Sequence, residues 1–295
     1  MFVIVGIVIV LGSILAGFTM EGGNVAALLQ FAEFIVIGGA AFGSIVVGYS
    51  LKDAISMLMI GLKLLKGSPY KKDVFLELLQ AMYEFFLVGR KGGLISLEKH
   101  VENPDESEIF QKYPSFTSNH HALNLFADTM KLIVMGGIGV YDLADMMDID
   151  LEAQHEESMK MTGMLTCMAD SLPGFGIVAA VLGIVVTMQA IGGPPEEIGE
   201  KVGAALVGTF LGILLAYGVF APLSKATEAI AKCEAQYMAC IKNAVVAFAR
   251  GDAPLICVEF ARRNIEPELR PSFSEMEDTC RGRKSEGGES EKKAA

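Results

Sequence analysis

The sequence predicts an all-α integral membrane protein with four transmembrane helices in two hairpins, a helical cytoplasmic domain between spans two and three, and a cytoplasmic C-terminal tail. The first observation behind this prediction is that the apolar residues, 52% of the chain, cluster into four runs without a charge. About 20 apolar residues in a helix cross the hydrocarbon core of a bilayer, so each run predicts one span. The runs contain 19, 18, 25 and 23 residues: Phe2–Met20, Phe34–Leu51, Ser171–Pro195 and Val202–Ser224.

The second observation is the position of the basic residues. Of 24 Lys and Arg, 11 lie in residues 52–169 and 12 in residues 225–295. Basic segments beside spans stay on the cytoplasmic side, which places both termini inside. The short connections Glu21–Glu33 and Gly192–Lys201 then face outward. Because no basic segment precedes the first run, we interpret that run as a retained helix and not as a cleaved signal peptide.

The composition excludes several classes of protein. A chain with these apolar runs is neither a soluble globular enzyme nor a disordered protein. Its net charge of −11 leaves no basic surface for nucleic acid. Its five cysteines are irregularly spaced, which predicts free thiols in a reducing compartment, and its four histidines lack metal-ligand spacing. With no catalytic pair or nucleotide-binding loop, we expect no enzyme activity and no cofactor, the energy coming from an ion gradient.

The domain boundaries follow from the runs. We predict a first hairpin over residues 1–51, a cytoplasmic domain over 52–169, a second hairpin over 170–224, a C-terminal helical segment over 225–280 and a disordered tail over 281–295. The tail contains mainly Gly, Ser, Glu and Lys, a composition that cannot bury an apolar core.

The cytoplasmic domain is predicted to be mostly helical. Apolar residues recur at helical spacing over residues 74–86, and the glycines of residues 89–93 are expected to stop that helix. A second apolar stretch of helical period covers residues 122–141. Residues 142–157 then hold seven acidic residues and no basic one, which we interpret as the solvated face of a helix leading into span three.

Small residues indicate where the spans touch, because stripes of them let helix backbones approach closely in lipid. The stripe on span four fits packing within one chain or against a second subunit. We expect oligomerisation, since two hairpins alone form a thin bundle. The small residues are Ala204, Gly208, Gly212 and Ala216 on span four, Gly39 and Gly43 on span two, and Gly176 and Ala180 on span three.

No ionisable residue is expected at mid-depth in any span. Glu33 and Asp170 fall at the edges of the runs, and the polar residues inside are hydroxyl and amide side chains. These groups do not take and release protons near neutral pH. If the assembly moves protons, the carboxylate that carries them must therefore belong to another chain.

Two prolines fall near the predicted cytoplasmic face, Pro173 at the start of span three and Pro222 at the end of span four. Proline inside a helix removes one backbone hydrogen bond and kinks the helix. Each proline is interpreted either as a static feature, a kink or for Pro173 a helix start, or as a hinge. A pair of hinges would transmit a change in the membrane to the cytoplasmic domain.

Two long motifs resemble one family. Residues 170–183, Asp-Ser-Leu-Pro-Gly-Phe-Gly-Ile-Val-Ala-Ala-Val-Leu-Gly, are similar to the third span of the MotA family of flagellar motor stator proteins. Residues 207–218, Val-Gly-Thr-Phe-Leu-Gly-Ile-Leu-Leu-Ala-Tyr-Gly, resemble its fourth span, and residues 102–110 and 270–273 resemble its cytoplasmic parts. The likeness extends from Met1 to about Glu277.

This resemblance implies a stator subunit that couples inward proton flow across the bacterial inner membrane to torque for swimming. It implies a homo-oligomer, a pentamer, around a MotB dimer that supplies the membrane aspartate, and the rotor protein FliG as a second partner. By the same resemblance, Pro173 and Pro222 couple proton binding to movement, and Arg90 and Glu98 contact the rotor. From the residues alone, Arg90 and Glu98 are a solvated pair beside a turn.

The resemblance also assigns Thr209, Ala180 and Tyr217 to the lining of the ion path. Ala180 occupies a position where sodium-driven relatives carry threonine, which indicates the proton-driven branch. One alternative is an ExbB- or TolQ-like protein that energises outer-membrane processes, although the two-hairpin layout disfavours it. A small-solute transporter or a passive scaffold is a third hypothesis, but a transporter would usually carry broken helices or midplane polar clusters.

Overall fold

The computed structural model describes residues 2–64, 67–189 and 191–282, and within these ranges it is helical and holds no strand. The predicted disordered tail lies outside the described residues from position 283 onward. The helices are α1 Phe2–Met20, α2 Phe31–Gly48, α3 Leu51–Leu64, α4 Lys72–Gly92, α5 Glu98–Glu102, α6 Pro114–Thr117, α7 His120–Met135, α8 Val140–Gln189, α9 Pro195–Leu215, α10 Ala221–Ala249, α11 Pro254–Asn264 and α12 Phe273–Cys280.

The chain forms two compact units. The span unit combines Met1–Ser68 with Glu157–Ala229, and the globular unit combines Pro69–Glu156 with Ile230–Ala295. Residues 52–68 and 157–169, which lie outside the predicted hairpins, belong to the span unit. Compact packing and membrane crossing thus divide the chain at different residues.

Four helical segments are long and apolar enough to cross a membrane, which confirms the predicted number of spans. The first is α1. The second helix begins three residues before its apolar run and ends at Gly48, where Tyr49 turns the backbone to an extended conformation. The third run begins inside the 50-residue helix α8 and extends beyond the end of that helix at Gln189, and the fourth begins in α9.

Spans three and four pack backbone to backbone through small residues. A Cβ atom on Gly176 would lie 3.0 Å from the Gly208 carbonyl oxygen, and one on Gly212 would lie 2.6 Å from the Leu172 carbonyl oxygen. Side chains larger than hydrogen cannot fit at these positions, so the predicted small-residue contact is confirmed within one chain. The small residues of span two, Gly39 and Gly43, have open space around them instead.

The globular unit is built around a cluster of aromatic rings. Phe126 lies at its centre, with its ring centroid 5.0 Å from that of Phe85 and 5.7 Å from that of Phe110. The amphipathic helix α4 contributes one buried face to this cluster, as its apolar spacing predicts. The fully buried rings are Phe75, Phe85, Phe86, Phe110, Phe116, Phe126 and Tyr237.

One prediction about glycines in this unit is confirmed and one is wrong. Helix α4 ends within the predicted segment of residues 89–93: it continues through the buried Gly89 to Gly92 and ends where Gly93 takes a φ of +76°. The single helix predicted over residues 122–141 is wrong, because Gly136 and Gly137, both with positive φ, separate α7 from α8. A left-handed backbone is open to glycine at little cost, so these residues end helices where other glycines do not.

Candidate coupling site

Pro173 lies well inside α8, with 33 residues of the helix before it. Its interpretation as a helix-start proline is therefore wrong. Because proline has no N–H, the helix lacks one backbone hydrogen bond there, and the ring also crowds the preceding turn. The neighbouring Leu172 carbonyl lies against Gly212 of α9. The weakened turn of span three is thus in direct backbone contact with span four.

Pro222 is the second residue of α10 and follows a π-helical segment, Ala216–Phe220. In this segment the Ala221 N–H donates to the Ala216 carbonyl, five residues back. Such wide turns are rare and occur often at functional sites. Sequence reasoning missed this segment, although a proline preceded by Gly218 at the i−4 position is a signal compatible with a disturbed helix.

Beside the prolines, hydroxyl groups connect α8 to α10 within the span unit. The Thr166 and Ser224 hydroxyl oxygens are 2.7 Å apart, and the Ser224 hydroxyl also donates to the Thr162 carbonyl at 3.3 Å. An open cleft of about 640 Å³ borders this cluster and includes the carboxylates of Asp170 and Glu228. Polar contacts therefore connect the helices next to Pro173 and Pro222, beside buried apolar side chains such as Leu172.

The three residues assigned to the ion path occupy different surroundings. Tyr217 belongs to the π-helical segment and is 68% exposed, whereas Thr209 and Ala180 are half-buried. Thr209 is near the contact of spans three and four, since its Cα lies 3.4 Å from the position of a Cβ on Gly176. The three residues thus lie in different environments within the span unit.

Glu33 lies at the edge of span two, as predicted, since it is the third residue of α2. Glu33 is in the first turn of α2, but its Oε2 is buried against Gly208 of α9. This contact places a carboxyl group inside the small-residue packing of span four. The sequence could not show it, because the position of Glu33 along α2 says nothing about which part of α9 it meets.

Arg90 and Glu98 flank a tight turn at the end of α4 in the globular unit. Both are exposed, and within the described residues they form no ion pair with each other or with other groups. Arg90 makes one long contact, Nη1 to the Gly251 carbonyl at 3.5 Å. The turn itself is fixed by the Ser96 hydroxyl, which donates to the Gly93 carbonyl at 2.6 Å. Both charges are therefore available to a partner on a rigid support.

Among the described residues, no group of three or more His, Cys, Asp or Glu could hold a metal ion. The five cysteines are free thiols in the structure. Burial raises the pKa of the Cys257 thiol to about 12, and it also raises the pKa of the Cys280 thiol to about 12. These two thiols therefore stay protonated at neutral pH and are poor nucleophiles.

Comparison with known proteins identifies the class and then the family. The model of the motility protein A N-terminal region matches residues 4–93, and the model of the MotA/TolQ/ExbB proton channel family matches residues 118–239. Motility protein A of Salmonella typhimurium is 38% identical over 282 residues, which cover 95% of this chain and 95% of that protein. The chain therefore belongs to the motility protein A family.

Solved structures agree in fold. The C. jejuni MotAB structure aligns with a TM-score of 0.74 at 22% identity, covering 92% of this chain and 98% of that chain. The flagellar MotAB stator complex from Bacillus subtilis gives 0.71 at 20% identity with the same coverage. Together with the family membership, this makes the chain a flagellar stator subunit embedded in a membrane, a role favoured over the ExbB- or TolQ-like alternative.

Proposed function

We propose that this chain forms the shell of a proton-driven stator in the bacterial inner membrane, with both termini in the cytoplasm. Its partner is a MotB-type dimer whose membrane aspartate carries the proton, and several copies of the chain, a pentamer, surround that dimer. An oligomer is supported by the bare apolar surface of the span unit, since no residue of the α1 span window is buried within the chain. Energy comes from the ion gradient, without a nucleotide or enzymatic step.

The observation that carries the coupling role is the π-helical segment directly before Pro222, in a helix that packs backbone to backbone against the helix of Pro173. One proton crossing 100 mV releases about 2.3 kcal/mol. This energy changes a two-state equilibrium roughly fiftyfold, since about 1.4 kcal/mol is tenfold. Two proline-weakened turns joined by hydroxyl contacts form an element that such an energy can shift.

Replacing each proline tests this role. We expect Pro173→Ala and Pro222→Ala to leave accumulation and copurification with the partner unchanged but to abolish swimming, because the disturbed turns become regular helix. Pro195→Ala is the control, since Pro195 opens α9 as its first residue, where proline costs little. Proline variants that swim normally would exclude the hinge role.

The rotor contact is assigned to Arg90 and Glu98, and the proposed partner is FliG. Their lack of internal ion pairs within the described residues supports this assignment. Arg90→Glu and Glu98→Lys should each weaken motility while proton conduction by the complex remains. Glu102→Lys, at an exposed position of the same short helix α5, is the matched control. Equal loss of motility in the control would mean that net charge and not these two positions matters.

The choice of ion is assigned to the path lined by Thr209, Ala180 and Tyr217. Ala180 offers no oxygen to replace the water of a sodium ion, which supports protons as the driving ion. Swimming should therefore depend on the proton gradient and persist without sodium. Wild-type cells that stop when sodium is removed would exclude this choice.

A further inference from the structure

The end of helix α4 packs against two other elements of the globular unit. A Cβ atom on Gly89 would lie 2.7 Å from Leu97 Cδ1 and 3.1 Å from Phe248 Cζ. Leu97 belongs to the turn directly before Glu98, whereas Phe248 is in the last turn of α10, shortly before α11 begins. Arg90, the next residue of α4, therefore lies close to the start of α11 as well as to the turn of Glu98.

A row of contacts connects Arg90 to helix α11. Arg90 Nη1 lies 3.5 Å from the carbonyl oxygen of Gly251, in the connection between α10 and α11. The preceding residue, Arg250, places its guanidinium carbon 4.8 Å from the ring centroid of Phe260. Phe260 and Ile256 are four residues apart on α11 and share one face of that helix. We refer to the side chains of Arg90, Arg250, Ile256 and Phe260 as the α11 surface.

The α11 surface exposes two large apolar side chains. Ile256 is 49% exposed and Phe260 is 44% exposed, and both lie outside the buried core cluster of the described residues. Because water drives large apolar groups inward, apolar side chains that stay exposed side by side indicate a surface that a partner covers. Aromatic residues and arginine are also the residues enriched at the centres of protein interfaces.

The ring of Phe260 is held in place before any partner binds. The Arg250 guanidinium lies over the ring and is attracted by its π electrons. Arg250 is itself fixed by an ion pair with Asp252, whose Oδ2 lies 3.1 Å from Nη2. A side chain that is ordered in the free protein loses less conformational entropy when it is buried, so Phe260 is suited to anchor a partner.

The charge of the α11 surface indicates what covers it. Asp252 balances the charge of Arg250, whereas Arg90 forms no ion pair within the described residues. An apolar surface with one uncompensated guanidinium at its edge fits a segment that presents an apolar side chain beside a carboxylate. Since Arg90 is also the residue assigned to the rotor contact, the α11 surface continues that contact without a gap.

We propose that the α11 surface is a docking surface for the rotor protein, covered by a rotor segment that presents an apolar side chain beside a carboxylate. This inference rests on the proposed function, because it extends the rotor contact from Arg90 and Glu98 onto α11. The charges provide recognition that depends on salt, and Ile256 and Phe260 provide an apolar contact that slows dissociation.

Cross-linking in cells tests which molecule covers this surface. The photoreactive amino acid benzoylphenylalanine replaces Ile256, Phe260 or Arg90, one at a time, in the full chain. The chain is expressed with its partner in cells that lack their own stator. We expect a light-dependent product with FliG from each of the three positions, because all three side chains are exposed and lie on one surface.

Phe273 provides the matched control. It is 45% exposed, like Phe260, and lies on α12 of the same unit. The neighbouring Glu275 accepts a hydrogen bond from Lys72 at the start of α4, about 27 Å along that helix from Arg90. Benzoylphenylalanine at position 273 should therefore give no product with FliG.

Binding measurements separate docking from a purely structural role. Phe260→Ala should weaken binding of the purified stator complex in lipid to FliG about fivefold at both low and high salt, because an apolar contact is not screened. Arg90→Gln should weaken binding at low salt only. Phe260→Leu should restore most of the affinity, and Phe273→Ala should bind like wild type. Unchanged hydrogen exchange of the α4 and α7 amides in Phe260→Ala would show that its core is intact.

The outcomes distinguish this inference from the proposed function. Products of positions 256 and 260 with a second copy of this chain, or with no protein while position 90 reaches FliG, would overturn the docking surface alone. Wild-type affinity in Phe260→Ala, or a loss that disappears at high salt, would overturn it too. If none of the three positions reaches FliG, the proposed rotor contact itself is contradicted.

Discussion

The two compact units of this chain achieve close packing in opposite ways. The globular unit buries large side chains, and seven aromatic rings in its core are fully shielded from solvent. The span unit brings backbones together through Gly176, Gly208 and Gly212, while many of its large side chains remain exposed, such as Val8 at 61% and Ile9 at 60%. Water drives large apolar groups inward, whereas lipid solvates them and leaves only short-range packing to hold helices together.

The difference in packing between the two units also bears on their roles. A core of interlocking rings is rigid, and it suits a unit that carries charges such as Arg90 on a fixed turn. The hydroxyl contacts of the span unit contribute less, since interhelical hydrogen bonds in membrane proteins average about 0.6 kcal/mol. The span unit is therefore the one suited to respond to an ion, and four predictions follow from this contrast.

The largest effect is expected from Phe126→Ala in the globular unit. The cavity left among four neighbouring rings should reduce the local unfolding free energy by about 3–5 kcal/mol. Hydrogen exchange of the amides in α4 and α7, measured on the full-length protein in lipid, reports this loss. Ile9→Ala on the exposed face of α1 is the control and should leave those amides unchanged. Similar losses in both variants would contradict the contrast between the units.

A smaller effect is expected from Gly212→Ala in the span unit. The new methyl group would meet the Leu172 carbonyl oxygen at 2.6 Å and the Gly176 Cα at 2.9 Å, and backbone atoms cannot move aside as side chains do. Overpacking of this kind costs about 1–3 kcal/mol. The midpoint of heat-induced helix loss should fall. Gly203→Ala, at a helical glycine with open space around it, should leave the midpoint unchanged or raise it, and a fall there would contradict the interpretation.

The hydroxyl contact between α8 and α10 should contribute less. Interhelical hydrogen bonds in membrane proteins average about 0.6 kcal/mol. A double-mutant cycle of Thr166→Val and Ser224→Ala should give a coupling energy of about this size, whereas a cycle of Thr166→Val and Ser171→Ala should give none. The Ser171 hydroxyl donates to the Cys167 carbonyl of its own helix and is the appropriate control. Equal coupling in both cycles would show that the contact is not specific.

The smallest effect concerns His100 in the globular unit, which is 5% exposed and lies 2.8 Å from the Ser107 hydroxyl. Burial, followed by the charge of Lys99, lowers the pKa of His100 from its ordinary value of 6.5. The unfolded chain then binds the proton more readily than the folded one, so stability falls as the pH drops below 6.5 towards the folded pKa.

His100→Gln should remove this pH dependence and change little at neutral pH. The measurement is hydrogen exchange of the globular unit at pH values on both sides of 6.5. His155→Gln, at an exposed position of α8, should retain the wild-type slope. A slope that persists in His100→Gln would assign the effect to another group.

Much of the fold was predictable because the patterns are local. The uncharged runs predicted four spans, and the apolar spacing of residues 74–86 predicted α4. The small residues of span four predicted the contact with Gly176, because close approach of helices in lipid leaves a local compositional signal. The domain boundaries, the roles of Pro173 and Pro222, and the ion-path and rotor residues stay predictions.

Other features of the fold depend on contacts between residues that are distant in the sequence. Gly89 and Gly93 are equivalent in the sequence, but only Gly93 takes a positive φ and ends the helix. The π-helical segment before Pro222 contains Gly218, where a Cβ atom would lie 3.1 Å from Val10 Cγ1 of α1. A local sequence pattern carries no information about such long-range contacts.

The sequence by itself determined the class of this protein, its four spans and the family to which it belongs, because hydrophobic length and contiguous motifs are properties of the linear chain. Only the tertiary structure decided that Oε2 of Glu33 is shielded from solvent and lies against Gly208, since that contact joins residues 175 positions apart on two helices. Burial and partners set the chemistry of a carboxyl group, and both are fixed by packing.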